Sequence, residues 1–408
     1  MPTLKNEIKK LKINIDYPPA TRGLIVLWGL IASFPFPGMA WHRLHYLAGL
    51  RRLGFDVWYV EETDIPVMKF DNLWRTLDYE PNLKYLANLM DLIGFGNRWI
   101  FKPPGQSEKC FGSRNIDGIY QLYREADVVI NHSGAQSIRP YHSNIKCLVY
   151  IETDPVTSQI DVASGNDLII KKLESHHHLF TYATNIGAPD CKIPTKKFTW
   201  TPTLPPVCVD WWYTHKKPRK LQPLTTVATW KHSIKDRNWE GQSWRWSKHH
   251  EFLRFISLPG KSRLPLELAI GGITNDEVQH LEENGWRIRS AKDLSSVDKY
   301  RNYIQNSLGE FTIAKEQYVA SRSGWFSDRS TTYLASGRPV ITQDTGFGNT
   351  IPTGEGLFAF STEDQALASI EAVATDYERH ASAALDIAKE YFEAERVFKN
   401  ILAKIGIM

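Results

Sequence analysis

Cysteine is scarce, with four in 408 residues. Cys110, Cys147, Cys191 and Cys208 lie far apart, with no Cys-x-x-Cys and no histidine at metal-ligand spacing. That pattern excludes a structural zinc site and a dense disulfide framework, and it fits a reducing cytoplasm. Neither sign of charge is in excess: 49 Lys+Arg against 45 Asp+Glu leave a formal net charge of +4. No basic tail for nucleic acid is present. Long apolar runs are lacking too. Residues 23–42 carry no formal charge, but Pro35, Pro37 and Gly38 break the stretch. Only Gly23 to Ala32 is unbroken, which is the length of a strand, so neither a membrane span nor a signal peptide is expected. There is no repeat of solenoid length, and no Gly-x-Gly-x-x-Gly follows the first apolar run, which disfavours a dehydrogenase.

What the chain has in quantity is aromatic surface: 14 Trp, 17 Tyr and 18 Phe, 12% of all residues. Its length predicts two domains with a cleft between them. Residues 1–20, Lys-rich with Pro18 and Pro19, read as a surface arm. Leu24-Ile-Val-Leu-Trp-Gly-Leu then reads as a buried strand, Ser33 to Trp41 as a Pro/Gly loop, and His42 to Leu53 as a helix with Leu44, Leu47, Leu50 and Leu53 on one face. Gly54 fits a helix cap, and Phe55 onward is a second strand, completing a βαβ unit of a parallel sheet. Further strands are expected at 127–132, 147–152 and 178–183. Residues 192–220, rich in proline with Trp211 and Trp212, read as an interdomain connection. A second parallel-sheet pattern starts at Leu224 and continues through 265–272, 286–289, 310–314, 338–342 and 356–360, and two helices end the chain. Ligands of such sheets sit outside the C-terminal strand ends, so the turns at 33–42, 61–64, 132–134 and 152–155 are expected to face one crevice.

The most informative segment runs from Ser321 to Ile341. Ser321, Ser323, Ser327, Ser330 and Thr331 crowd hydroxyls around a helix N-terminus, where free N–H groups and the positive dipole end attract anions. Lys315, Arg322 and Arg329 add charge, which suits a diphosphate; otherwise Ser327 or Asp328 is simply the N-cap. This hydroxyl-rich loop, followed by a helix ending in Ala335-Ser-Gly-Arg-Pro-Val, resembles the donor-binding segment of GT-B glycosyltransferases. Residues 38–54 resemble the first loop and helix of their N-terminal lobe. The resemblance implies two Rossmann-like parallel-sheet lobes facing a cleft. On that resemblance residues 1–215 are expected to form an acceptor lobe, 216–380 a nucleotide-sugar donor lobe, and 381–408 a helix packing back on the first lobe. It also implies transfer of a sugar from a nucleoside-diphosphate sugar to an acceptor hydroxyl, without a metal or other cofactor. The fold would equally serve a nucleotide-sugar epimerase or a non-catalytic nucleotide-sugar-binding protein.

Many retaining members of that family carry two glutamates in this segment, where this chain has Gly324 and Thr332. The missing pair points to an inverting enzyme or an unusual branch. No Asp-x-Asp occurs, which disfavours the metal-bridged alternative fold. An inverting transfer needs a general base. His42 is the first candidate, since inverting GT-B enzymes resembling this pattern often place a histidine there, and His132 and Asp154 at strand ends come next. His176, His177 and His178 precede a strand and read as structural. Lys231, after the first strand of the second lobe, is a second candidate for the diphosphate. Asp344, Thr345 and Gly346 either line the donor sugar or form an ordinary turn. The basic and aromatic run at 230–248 suggests nucleic acid only weakly. Trp41, Trp230 and Trp325 are expected, with Gly38, to line the cleft, where a ring can cover a sugar or a base.

Overall fold

The computed structural model of the chain describes residues 11, 13–70, 74–106, 108–218 and 222–408. Most of the expected surface arm at 1–20 and the last two residues of the 192–220 connection lie outside the described residues.

Leu24–Trp28 (β1) shows why the first apolar run is continuous rather than alternating. Ile25 and Leu27 enter one core cluster while Val26 and Trp28 enter another, so both faces of the strand are covered. Around β1 an eight-stranded sheet assembles from Asp56–Glu62 (β2), Trp99–Lys102 (β3), Phe111–Gly112 (β4), Val128–His132 (β5), Leu148–Glu152 (β6), His178–Thr181 (β7) and Thr201–Pro202 (β8). Its order is β8-β7-β6-β5-β1-β2-β3-β4, parallel throughout except for the antiparallel β3–β4 edge. The second sheet has six parallel strands: Leu224–Thr229 (β9), Leu266–Gly271 (β10), Arg287–Ser290 (β11), Gly309–Thr312 (β12), Val340–Gln343 (β13) and Leu357–Phe360 (β14), in the order β11-β10-β9-β12-β13-β14. Strand order reverses beside β1 in one sheet and beside β9 in the other. Those two switch points are where doubly wound sheets open a crevice. These are the two Rossmann-like lobes expected from the strand pattern.

Several boundaries differ from the sequence reading. The first helix runs Pro37–Arg52 (α1), because Pro37 takes the first helical position after an extended Phe36. Gly38 and Trp41 therefore sit in helix rather than loop. Arg43, which lies off the leucine repeat of that helix, is nevertheless 2% exposed, since α1 is enclosed by the sheet, by the second lobe and by the last helix. Within the basic and aromatic run at 230–248, Arg237–Trp239 and Gln242–Trp244 form a hairpin. In the loop after β12, Glu316–Ser321 forms a short helix ended by Arg322 in the left-handed region. The helix expected at 380–404 is broken into Tyr377–Ile387, a wide turn Ala388–Phe392 and Ala394–Lys404. The last piece packs on α1, with Gly49 leaving room for Ala394 and Phe398: a Cβ at Gly49 would meet them at 2.7 and 2.8 Å. No helix among the described residues is long and apolar enough to cross a membrane.

Candidate functional site

On the first-lobe wall, α1 carries His42 and Arg43 in its second turn, facing the end of β5. His42 Nε2 shares a hydrogen bond of 2.7 Å with the Tyr182 hydroxyl, which lies 2.7 Å from the Tyr46 hydroxyl. Across the cleft, His42 Nδ1 is 3.6 Å from an oxygen of Asp328. Burial, with Arg43 beside it, pushes the imidazole well below its ordinary pKa, so the ring is neutral. His132 packs edge-on against His42 and Tyr46, with ring centroids 4.6 and 4.3 Å apart. It too is held neutral by burial and by Arg43, and its buried Nε2 has no partner. The preceding loop is fixed by Glu61, which accepts from the Ala32 and Ser33 amides at 2.9 and 2.6 Å and from the hydroxyls of Ser33 and Tyr59.

The opposite wall meets it at Asp154, just beyond β6. One carboxylate oxygen takes the Lys315 ammonium of the second lobe at 2.6 Å and the Tyr318 hydroxyl; the other lies 3.3 Å from Lys235. Burial opposes ionisation of Asp154, yet Lys235 and Lys315 hold it well below the usual carboxylate range. A carboxylate so held is a weak general base. Burial pulls Lys315 down to about 8, while Asp154 works the other way, and the Lys315 ammonium stands 3.6 Å over the Trp246 ring.

The helix Asp328–Ala335 (α2) starts with Ser327 as its cap, the hydroxyl accepting from the Arg329 amide at 3.3 Å. Ser330 Oγ is buried there with no partner. Arg329 does not face the helix end as a free cation. Its guanidinium binds Glu310 at 2.6 Å, the Val227 carbonyl at 2.7 Å and Thr312 Oγ1 at 2.9 Å, so it braces the second sheet from beneath. The unengaged amine on this wall belongs to Lys248, which the sequence reading passed over. It is 7% exposed, and no carboxylate lies within 4.0 Å of it among the described residues. Burial, then Arg329 and Lys315, push its pKa well down.

The remaining expected residues divide. Lys231 is paired with Glu277 at 2.6 Å and half exposed. Trp230 turns into the second-lobe core against Phe252, its Nε1 donating to Glu277, so it does not line the cleft. Trp41 is sealed in the lobe contact, donating to the Val297 carbonyl at 3.0 Å and packing on Trp212. Trp325 stacks on Tyr318 and donates to the Thr153 carbonyl at 2.9 Å, which spans the lobes. Arg322 binds Asp190 of the first lobe at 2.7 Å and Asp344 of the second at 3.0 Å; Asp344 also accepts from the Gly346 amide. Ser323 and Thr345 are spent on local bonds, to the Tyr318 and Trp325 carbonyls. Gly38 lines a small interlobe cavity with Trp41, His42, Asp328 and Thr332. His176 bonds Asn131 and the Lys172 carbonyl while His177 accepts from the Leu148 amide, so those rings serve separate structural partners.

No protein-family model matches the chain, and no curated protein sequence does. Solved structures do match. An alpha-glucosyltransferase in complex with UDP and a 13-mer DNA containing an HMU base is similar over 94% of this chain and 99% of its own, with a TM-score of 0.56 at 10% identity. HepE of Anabaena, in complex with UDP and glucose, is similar over 95% of this chain and 100% of its own, with a TM-score of 0.56 at 13% identity. AviGT4, a glycosyltransferase involved in avilamycin A biosynthesis, is similar over 94% and 96%, with a TM-score of 0.52 at 10% identity.

Proposed function

The chain has the GT-B fold of glycosyltransferases, and we propose that it transfers a sugar from a nucleoside-diphosphate sugar to an acceptor hydroxyl without a metal ion. The observation that carries this reading is Lys248. An amine buried without a carboxylate partner is costly, and an anion arriving in the cleft removes that cost. It lies in the field of Lys315 and of Asp328 and Arg329, the first two residues of α2, a helix end whose dipole and free amides add to the attraction. Lys248, protonated as the anion arrives, Lys315 and the α2 terminus thus take the diphosphate, and positive charge on the protein does the work that a divalent cation does elsewhere.

The acceptor hydroxyl belongs on the first lobe, at the end of β1 and β5. Of the three base candidates, Asp154 is engaged by two lysines and His42 Nε2 by Tyr182. His42 Nδ1, however, makes no hydrogen bond among the described residues and stands 3.6 Å from Asp328 on the lining of the small interlobe cavity, whereas His132 is fully buried, so the acceptor proton falls to His42.

The test is thermal shift and calorimetric titration of the protein with nucleoside diphosphates and their sugars. Stabilisation is expected with at least one of them, and Lys248→Met is expected to abolish most of it. A flat response to the whole panel overturns the reading.

A further inference from the structure

Arg43 has no structural employment that matches its burial. Its side chain is 2% exposed, on the second turn of α1. Nη1 donates to the Met39 carbonyl one turn back at 3.1 Å, and Nη2 lies 3.4 Å from Ser133 Oγ, itself already shared with Thr153. Nε has no partner, and no carboxylate stands within 4.0 Å among the described residues. A guanidinium has five N–H donors, and burying it with most of them idle is expensive. Arg329, 11% exposed, and the buried Arg338 are used differently. Arg329 makes three short bonds, one to a carboxylate, and Arg338 reaches the carbonyls of Gln305 and Lys216 at 2.7 Å.

Its position says what is missing. Ser133, the residue that Arg43 leans on, follows β5 at the switch point beside β1, in left-handed backbone with φ 59°. Asp328, the first residue of α2, faces the same place from the second lobe, 3.6 Å from the neighbouring His42. Asp328 thus stands in the field of one buried basic side chain from each lobe, neither of them in an ion pair among the described residues: Arg43 from the first and Lys248 from the second.

We propose that Arg43 is the first lobe's contact to the diphosphate of the donor, so that the phosphate site is completed only when both lobes close on it. This rests on the sugar-transfer reading. In that reaction the bond from the sugar's anomeric carbon to the diphosphate oxygen breaks, and its electron pair stays on that oxygen. The acceptor oxygen bonds to the same carbon, and its proton passes to the histidine of the first lobe. Arg43 donates N–H to the diphosphate oxygens as that charge develops.

The experiment uses the full chain and two probes, inorganic pyrophosphate and UDP, titrated calorimetrically into the native protein, Arg43→Gln and Arg43→Lys. Expected is a loss of about tenfold or more in affinity for both probes in R43Q, with R43K in between and the unliganded melting temperature of R43Q unchanged or raised. If the native protein binds the probes and R43Q binds them equally well, the proposal is overturned while the sugar-transfer reading stands. A lowered melting temperature or a failure of R43Q to fold makes Arg43 structural, which also overturns it. If pyrophosphate, UDP and the other nucleoside diphosphates all fail to bind the native protein, the reading itself falls and the proposal with it.

Discussion

Asp154 of the first lobe and Lys315 of the second meet at 2.6 Å across the cleft, with Lys235 on the other carboxylate oxygen at 3.3 Å. Removing the carboxylate leaves two ammonium groups facing each other beside Trp246. Asp154→Asn is expected to cost about 2 kcal/mol, below the range for a fully buried pair because Asp154 keeps 28% of its side chain exposed. It should also enlarge the protein in solution as the lobes part. Urea denaturation and small-angle scattering measure the two effects; an unchanged radius with unchanged stability refutes the tie.

Lys248 gives a proton-linked prediction. Burial, together with Arg329 and Lys315, favours its neutral form, and a bound diphosphate favours the charged one. Binding of a nucleoside diphosphate is therefore expected to take up protons. Titrations in buffers of different ionisation enthalpy read this directly, and identical enthalpies in all of them contradict it.

Arg329→Ala is expected to damage the fold first and binding second. It strands Glu310, whose other oxygen is already buried without a partner, inside the second lobe. A loss of about 3–5 kcal/mol follows from breaking such a pair. A variant with native stability and only weakened diphosphate binding would return Arg329 to the role that the sequence suggested.

Glu152 sets a pH dependence. It is buried at the end of β6, accepts from Gln159 and Thr181, and burial raises its pKa to about 7 despite those donors. Its unfolded value is the ordinary 4.5. Between these values the folded state holds the extra proton, so stability falls as pH rises from 4.5 to 7 and is flat above. Glu152→Gln keeps the acceptor oxygen and cannot ionise. Its stability relative to the native protein is expected to climb across that interval and to exceed it at pH 8 by roughly 2–3 kcal/mol. Parallel stability curves across pH would exclude the assignment.

Gly324 explains the absent glutamate. Its φ is +75°, and a Cβ there would come within 2.4 Å of the Asn185 amide nitrogen and 2.5 Å of Thr184 Oγ1. The first lobe occupies that place, bonded through Thr184 to the Gly324 carbonyl at 2.8 Å and from the Asn185 amide to the Ser323 carbonyl at 3.1 Å. Gly324→Ala is expected to destabilise by about 1–3 kcal/mol, and a neutral result in chemical denaturation argues against this close approach.

The sheets were legible because strands covered on both faces leave unbroken apolar runs, as at Leu24–Trp28, and because Gly54 and Gly337 mark helix ends in left-handed backbone. The helix α2 was legible from its cap. The site was less so. Arg43 looks like any helix-surface arginine until the second lobe is laid over it, and Lys248 sits in a polar stretch with no period. Trp230 follows a strand end, where the chain can turn a ring into the cleft or into the core; Phe252 and Glu277 decide for the core, and both are distant in sequence. The serines of 321–331 gave the correct helix end, yet Ser323 is consumed by its own loop and Ser330 alone stays free.

The wide turn at Ala388–Phe392 carries the chain back to the first lobe beside the outgoing connection. There the Val207 amide donates to the Phe392 carbonyl at 2.8 Å and the Ala394 amide to the Val207 carbonyl at 3.0 Å. Both passages between the lobes are thus fastened to one another at a single point. Sliding of one lobe past the other would shear those two bonds, whereas rotation about them leaves both intact. Rotation about that point would instead have to break contacts on the cleft side, the Asp154–Lys315 pair and the Trp325–Thr153 and Thr184–Gly324 bonds, so the cleft side carries the whole resistance to opening.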